Sequence, residues 1–253
     1  MAAQIVFMAV LGAVTGSFLS VVAHRVPRGE SIIAPRSRCP GCGTQIASYD
    51  NVPVFSYLVL RGRCRSCDER VPARYPLLEL SLAAAFVGVL LTFPDDAAEI
   101  ALGAAFCATL AAITLTDLEH RIIPNKVLIV SAIVGIALSI AVDPDGLAER
   151  AIAAAGGFGF LFLVALAYPK GMGMGDVKLA GVMGLYLGRA VAPALLIGFA
   201  AGAIYGIALI ARHGPEARKR AVPFGPFLAL GGLVGLFAGD EIVDWYTDTF
   251  FSG

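Results

Sequence analysis

The sequence predicts an all-α polytopic membrane protein with about eight transmembrane helices and one long polar loop after the first helix. Two observations lead to this prediction. The 253-residue chain is 58% hydrophobic and 15% charged, with a mean hydropathy of +0.79, whereas soluble domains are about 45–50% apolar and about 25% charged. Its apolar residues also lie in runs long enough to cross a bilayer. This composition argues against a soluble enzyme, a disordered chain and a secreted disulfide scaffold.

Each predicted span is an apolar run that lies between clusters of charged residues, proline and glycine. A span takes about 20 residues, or about 17 to 25 when it is tilted. The sixth run is shorter, so we expect it to begin inside the membrane or to be covered by neighbouring helices. The eight predicted spans are residues 5–23, 77–93, 97–116, 127–142, 151–168, 177–187, 190–211 and 224–238.

The basic residues predict the orientation of these spans. With eight spans, 17 of the 19 Lys and Arg residues fall on one side, which the positive-inside rule assigns to the cytoplasm. Both termini are then outside. A cleaved signal peptide is the alternative for the first span, but its expected basic start is absent, because Met1 to Gln4 is uncharged and Arg25 follows the run. A net charge of zero gives no indication of a nucleic-acid partner.

Four cysteines in the cytoplasmic loop have the spacing of a zinc site. Two CxxC pairs, Cys39/Cys42 and Cys64/Cys67, are separated by 21 residues, and four thiolates at such spacing close a tetrahedral structural Zn²⁺ site. Two disulfides or four unrelated thiols are the alternatives, and the reducing cytoplasm disfavours disulfides. We therefore expect a zinc-ribbon-like domain at 25–76, preceded by a first helix at 1–24 and followed by a seven-helix domain at 77–253. Cys107, alone in a span, is expected to be a packed residue.

Three carboxylates lie at depths where a charge is costly, which makes them functional candidates. Asp117 closes the third span and Asp176 opens the sixth, so both lie at the cytoplasmic face. Two carboxylates in one site can act as base and acid and hydrolyse a peptide bond without a covalent intermediate. The third, Glu79, lies at a helix start, where it would also interact favourably with the helix dipole.

Each candidate also has an ordinary structural explanation. Asp117 could be placed at a helix end, and Asp176 could be an N-cap. Glycines at 171, 173 and 175 could form a loop, although Gly173 and Gly175 could also let a substrate backbone approach. Lys178 and Arg121 follow the two aspartates closely, where they could tune the pair, orient a substrate or mark the membrane boundary.

The ordered motifs of this chain resemble those of the bacterial type IV prepilin peptidases, the leader peptidase and N-methyltransferase family of pilus and type II secretion systems. The resemblance covers almost the full length. It lies in the motifs GSFLSVVAHR at 16–25, the paired CxxC loop with LRGRC at 60–64, RYPLLEL at 74–80, DLEH at 117–120 with Pro124-Asn125, GMGMGDVK at 171–178 and PFGPFLAL at 223–230.

The resemblance implies a GxGD-type aspartic peptidase of the bacterial inner membrane, with Asp117 and Asp176 as its catalytic pair. The implied substrate is a prepilin or pseudopilin, cut at the cytoplasmic membrane surface after the glycine that ends a basic leader. The family then methylates the new amino terminus with S-adenosylmethionine. Glu79 and Arg74 are candidates for binding this cofactor or the amine, and the complete CxxC pairs favour the bifunctional form over a peptidase alone.

Two further hypotheses belong to other functional classes. Nine basic residues against four acidic ones between Arg25 and Arg74 are compatible with a membrane-anchored zinc module that binds a protein or nucleic acid through its Arg-rich loop. An ion or proton transporter could use Asp117 and Asp176, but both lie at span ends rather than midway. The sequence makes no prediction of the oligomeric state.

Overall fold

The computed structural model describes residues 1–169, 171–214 and 222–251, and this part of the chain is helical with no strand. The all-α prediction is confirmed. Short 3₁₀ turns lie at Val26–Arg28, Ser48–Asn51 and Gly188–Ala190. The α-helices are α1 (Ala2–Arg25), α2 (Phe55–Val59), α3 (Arg74–Thr92), α4 (Ala97–His120), α5 (Asn125–Val142), α6 (Leu147–Ala167), α7 (Met174–Leu187), α8 (Val191–His213) and α9 (Gly225–Phe250).

Eight of these helices overlap the eight predicted spans, and only the short α2, inside the polar loop, is additional. By length and composition, the described residues contain seven stretches able to cross a membrane. The stretch at Met174–His213 is 40 residues long and holds both α7 and α8, so the sixth and seventh predicted spans fall within it. The protein is therefore a multi-pass membrane protein, as the sequence predicted.

The chain reverses direction between α7 and α8. Ala190, which immediately precedes α8, lies against Gly239 late in α9, whereas Gly202 of α8 lies against Phe224, which immediately precedes α9. Helix α7 runs the other way. Its last residue contacts the middle of α9 at Gly235, whereas Gly175 at its start contacts Ile123, in the link after the helix end that Gly225 of α9 contacts. The turn is made at Gly188, whose φ of 54° favours glycine. The stretch therefore consists of two helices that run in opposite directions, α7 with 14 residues and α8 with 23.

Two compact units make up the chain, Met1–Pro94 and Asp95–Gly253. In the first, α1 packs against α3 where Gly16 contacts the backbone of Glu79, and the polar loop joins the two helices. The second contains α4 to α9. Its fully buried side chains include Phe106, Leu110, Ile113, Leu161, Leu179, Met183 and Leu228.

The structure describes only part of the charge pattern used for the orientation, because Lys170, Arg218, Lys219 and Arg220 lie outside the described residues. The orientation and the functional division at 1–24, 25–76 and 77–253 remain predictions.

Candidate active site and metal centre

Asp117 lies in the last turn of α4, where its side chain is 6% exposed. Its Oδ2 accepts a 2.8 Å hydrogen bond from the main-chain N–H of Gly225, the first residue of α9. A Cβ atom at position 225 would lie 2.8 Å from the same oxygen. Only glycine therefore brings the first turn of α9 this close to the carboxylate.

Asp176 is the third residue of α7 and is 9% exposed. Its Oδ2 accepts a 3.2 Å hydrogen bond from the N–H of Gly173, the N-cap residue. The carboxylate therefore satisfies one of the free N–H groups at the start of α7, as a capping side chain does. Asp176 itself is the third residue of the helix and not its N-cap. Gly175, which precedes it, contacts Ile123 in the link that follows α4, so the two carboxylates lie at the same end of the second unit.

Two contacts fix the start of α7 beside the end of α4. A Cβ atom at Gly175 would lie 2.8 Å from Cβ of Ile123, in the link from α4 to α5. The absence of a side chain at Gly175 therefore lets α7 lie against Ile123, and a role of this glycine toward a substrate backbone remains a prediction. The second contact is a 2.9 Å hydrogen bond from Nζ of Lys178 to Oδ1 of Asn125, the first residue of α5.

Arg121 caps the C-terminus of α4 in a left-handed conformation, with a φ of 55°. Its exposed guanidinium interacts electrostatically with Asp117. Asp117, Asp176, Gly173, Gly175, Lys178 and Arg121, which the sequence analysis named, thus all lie at one end of the second unit.

The four loop cysteines come together in the first unit. Their Sγ atoms all lie within 4.8 Å of one another, and Sγ of Cys39 and Sγ of Cys67 are 3.7 Å apart. A tetrahedral Zn²⁺ with bonds of about 2.3 Å places its sulfurs about 3.8 Å apart. Four converging thiols with this spacing fit a tetrahedral metal ion. Cys107 is buried in α4, in the second unit, as expected.

The two cysteine pairs adopt the same backbone turn. In each turn the residue after the second cysteine has a left-handed φ, 69° at Gly43 and 63° at Asp68. Its N–H donates to the carbonyl of the first cysteine, at 2.9 Å for Gly43 and 3.0 Å for Asp68. Glycine adopts this conformation without a steric cost, whereas Asp68, at the equivalent position of the second turn, does so at a cost.

The charges around the cysteines are partly neutralised by carboxylates. Arg65 makes two hydrogen bonds to Asp50, of 2.8 and 2.6 Å, and Arg63 pairs with Asp68 at 2.9 Å. The hydrogen bonds from Arg65 hold the pKa of Asp50 below its usual value. These two arginines therefore hold parts of the loop together.

Glu79 and Arg74, the residues considered for methyl transfer, have different surroundings on α3. Oε2 of buried Glu79 accepts a 2.7 Å hydrogen bond from the N–H of Val54, a β-branched residue with a φ of 61°. Such a conformation is strained by about 1–3 kcal/mol, and the Glu79 carboxylate helps to hold it. The exposed Arg74 guanidinium lies 5.2 Å from the ring centre of Tyr75.

Three residues that shape these sites have no role that the sequence predicts. Gly225 and Asn125 belong to the motifs that carry the resemblance, and Ile123 lies between two of them. Pro226 indicated a helix start at Gly225, but the contact with Asp117 joins residues 108 positions apart and leaves no local pattern.

Two family models match the chain. The model described as the bacterial peptidase A24 N-terminal domain matches residues 10–93, and the model of the type IV leader peptidase family matches residues 104–207. The first contains the four cysteines, and the second contains both aspartates. No solved structure gives a significant match.

Several relatives match over most of their length, and each is named prepilin leader peptidase/N-methyltransferase. The protein from Burkholderia pseudomallei strain 1026b is 35% identical, over 93% of this chain and 86% of its own. The protein from Bacillus subtilis is 33% identical, over 94% of this chain and 95% of its own. The protein from Aeromonas hydrophila is 33% identical, over 93% and 91%. This chain therefore belongs to the type IV leader peptidase family.

Proposed function

We propose that this protein is a membrane-embedded aspartic endopeptidase that removes the leader of type IV prepilins or pseudopilins and N-methylates the new amino terminus. The observation that carries the peptidase assignment is that two buried carboxylates, Asp117 and Asp176, lie at the same end of the second unit. Family membership supports both activities, since the relatives are named for both.

The carboxylate pair would act by general acid and base catalysis, with one proton shared between the two aspartates. The ionised carboxylate takes a proton from a water molecule as its oxygen adds to the peptide carbonyl carbon, and the protonated partner donates to the carbonyl oxygen. The C–N bond then breaks as the leaving nitrogen takes the proton from the first carboxyl group. One hydroxyl of the diol returns its proton to the second carboxylate, which leaves a carboxylic acid product and restores the shared proton. The N–H groups of Gly225 and Gly173 orient the carboxylates.

The basic residues support an orientation in which this site faces the cytoplasm and both termini lie outside the bacterial inner membrane. A basic leader retained in the cytoplasm would bring its cleavage site to the membrane surface. Asp117, at the end of α4, and Asp176, at the start of α7, lie near helix ends and so at a depth that such a substrate can reach. These end positions disfavour a transporter that binds its ion midway across the membrane.

We propose a structural Zn²⁺ bound by Cys39, Cys42, Cys64 and Cys67. The four thiolates complete a tetrahedron and leave no position for water, so this metal would stabilise the domain at 25–76 rather than take part in catalysis. The pairing of Arg63 and Arg65 with carboxylates disfavours the alternative of an Arg-rich loop that binds nucleic acid.

The proposed methyl donor is S-adenosylmethionine. When bound, it supplies a methyl group that passes to the amine nitrogen, with loss of one proton from the amine and release of S-adenosylhomocysteine. Arg74 and Glu79 are proposed to support this transfer. Glu79 would act by holding the backbone at Val54, and Arg74 is exposed at the start of α3.

The test is incubation of the purified protein with a prepilin and S-adenosylmethionine, followed by measurement of the product mass. We expect loss of the leader and gain of one methyl group. Asp117→Asn and Asp176→Asn should each lower cleavage by about 10²-fold or more, whereas Asp145→Asn, in an exposed turn, should not. Cleavage without methylation would identify a peptidase alone, and normal cleavage by either active-site variant would refute the dyad.

A further inference from the structure

An open cavity of about 260 Å³ lies at the end of α1, in the first unit. It is bounded by Arg25, by the segment at 31–37 and by the turn at Ser48–Asn51. At about 30 Å³ for each water molecule, this volume equals that of about nine waters. The cavity therefore has room for a phosphate group with a glycerol attached.

Two arginines make the cavity positively charged. The Arg25 guanidinium donates to the carbonyl of Ser31 at 2.9 Å and to that of Pro35 at 2.7 Å, which uses two of its five N–H groups. No hydrogen bond or ion pair joins the Arg36 guanidinium to any residue in the described ranges. No carboxylate is among the described residues that line the cavity. The C-terminal end of α1 contributes only about half a negative charge, so the two cations dominate and favour an anion.

Uncharged polar groups stand beside the two arginines. The side chains of Ser37, Ser48 and Asn51 line the cavity, and none of them is hydrogen-bonded to another residue in the part of the chain that the structure describes. Their donors are available to phosphate oxygens and to the hydroxyl groups of a ligand. Arginine itself binds phosphate through two parallel N–H groups. The polar part of the lining therefore matches a phosphate-bearing molecule that also has hydroxyl groups.

An exposed apolar stripe on α1, formed by Phe7, Leu11, Val14 and Phe18, leads to the cavity. Each of these side chains is at least 40% exposed, and their spacing of four, three and four residues places them on one face of the helix. Phe18 lines the cavity itself. Arg25 follows on the same face seven residues later, so the stripe ends at the cation.

The apolar stripe lies on a helix that is suited to crossing a bilayer. The stretch Ala2–Arg28, which contains α1, is long and apolar enough to do so. Its arginines, Arg25 and Arg28, both lie at its end, so the cavity lies at a membrane surface. Two glycines on another face of α1 contact the backbone of α3. The exposed stripe is therefore the face of α1 that lipid chains can cover, and Ile33, 87% exposed beside the cavity, adds to it.

We propose that this cavity binds an anionic phospholipid, with its phosphate between Arg25 and Arg36 and one acyl chain along the apolar stripe. The hydroxyl groups of the headgroup would lie near Ser48 and Asn51. An acyl chain crosses about half of the hydrocarbon core, or about 15 Å, which corresponds to about ten residues of α1. The chain would thus cover most of the apolar stripe. A zwitterionic lipid would bring a cationic group to a cavity that already holds two cations, and so should bind more weakly.

The test is lipid binding to the zinc-loaded full chain in detergent micelles, measured by native mass spectrometry with phosphatidylglycerol and phosphatidylcholine that have the same acyl chains. One phosphatidylglycerol should bind with a Kd about tenfold or more below that of phosphatidylcholine. Arg36→Gln removes a charge-assisted contact and should abolish most of this preference. Ser37→Glu should do the same by adding a carboxylate to the lining.

The matched control is Arg70→Gln, which removes the same charge from an exposed position of the same unit outside the cavity. This variant should keep the preference, and zinc content and thermal unfolding should match the unsubstituted protein in every variant. Equal Kd values for the two lipids, or an unchanged preference in both cavity variants, would overturn the proposal. An equal loss in Arg70→Gln would assign the preference to the overall charge of the loop instead. If glycerol 3-phosphate, which has no acyl chain, binds as tightly as phosphatidylglycerol, the cavity is a site for a soluble phosphate compound and not for a lipid.

Discussion

The main-chain N–H of Gly225 donates a 2.8 Å hydrogen bond to Oδ2 of Asp117. The donor belongs to the first residue of α9, so the carboxylate also faces the positive end of a 26-residue helix. Because the proposed reaction needs this carboxylate at a fixed position beside Asp176, the start of α9 is a positioning element of the dyad.

Gly225→Ala should lower cleavage of a prepilin by about 10²-fold, because an added Cβ would lie 2.8 Å from Oδ2 of Asp117 and a displacement of about 1 Å can cost that much. The measurement is the initial rate of leader removal in detergent micelles. Gly206→Ala is the matched control, since its Cβ would meet nothing within 4 Å. A variant at position 225 with full activity would show that the hydrogen bond does not position the dyad.

Gly175→Ala should also impair cleavage, here by separating α7 from the link after α4. The new Cβ would lie 2.8 Å from Cβ of Ile123, and overpacking of this kind typically costs about 1–3 kcal/mol in free energy of unfolding. The check is a double-mutant cycle on cleavage and on thermal unfolding. When Ile123→Ala is added to Gly175→Ala, much of the cleavage rate and of the unfolding temperature should be restored. If the effects of the two substitutions are purely additive, this contact is not the cause of the lost activity.

The fold and the site differ in how far they could be predicted. The eight helices followed from apolar runs, and the cysteine cluster followed from two CxxC pairs, because both patterns are local in the sequence. Asp117 and Asp176 stood out because charged residues are rare at such depths. The contacts of Gly225 with Asp117 and of Ile123 with Gly175 depend on how helices pack. The reversal between α7 and α8 followed from the two separate apolar runs, but the left-handed φ that Gly188 adopts in it did not.

Cys64→Ser should abolish metal retention, because three thiolates and a hydroxyl bind Zn²⁺ much more weakly than four thiolates. The expected result is a single zinc ion per unsubstituted chain by mass spectrometry, with loss of that ion and a lower unfolding temperature in the variant. Cys107→Ser is the control, since Cys107 is buried in α4. Iron instead of zinc would correct the metal, and full retention by Cys64→Ser would refute the four-cysteine site.

The ion pair between Asp50 and Arg65 should stabilise the zinc domain by an amount that stays constant across neutral pH. Arg65 holds the pKa of Asp50 below its usual value, which is about 3.9 in an unfolded chain. A carboxylate with a lowered pKa contributes its full stabilisation above the unfolded value and loses it only as the pH falls through the folded value. Asp50→Asn should therefore lower the unfolding temperature of the zinc-loaded protein by the same small amount throughout the range of about pH 5.5 to 8.

The control is Asp68→Asn, which breaks the more exposed pair with Arg63 and should have a smaller effect. A difference between the unsubstituted protein and Asp50→Asn that disappears on going from pH 8 to pH 6 would show that another group, and not this carboxylate, carries the stabilisation.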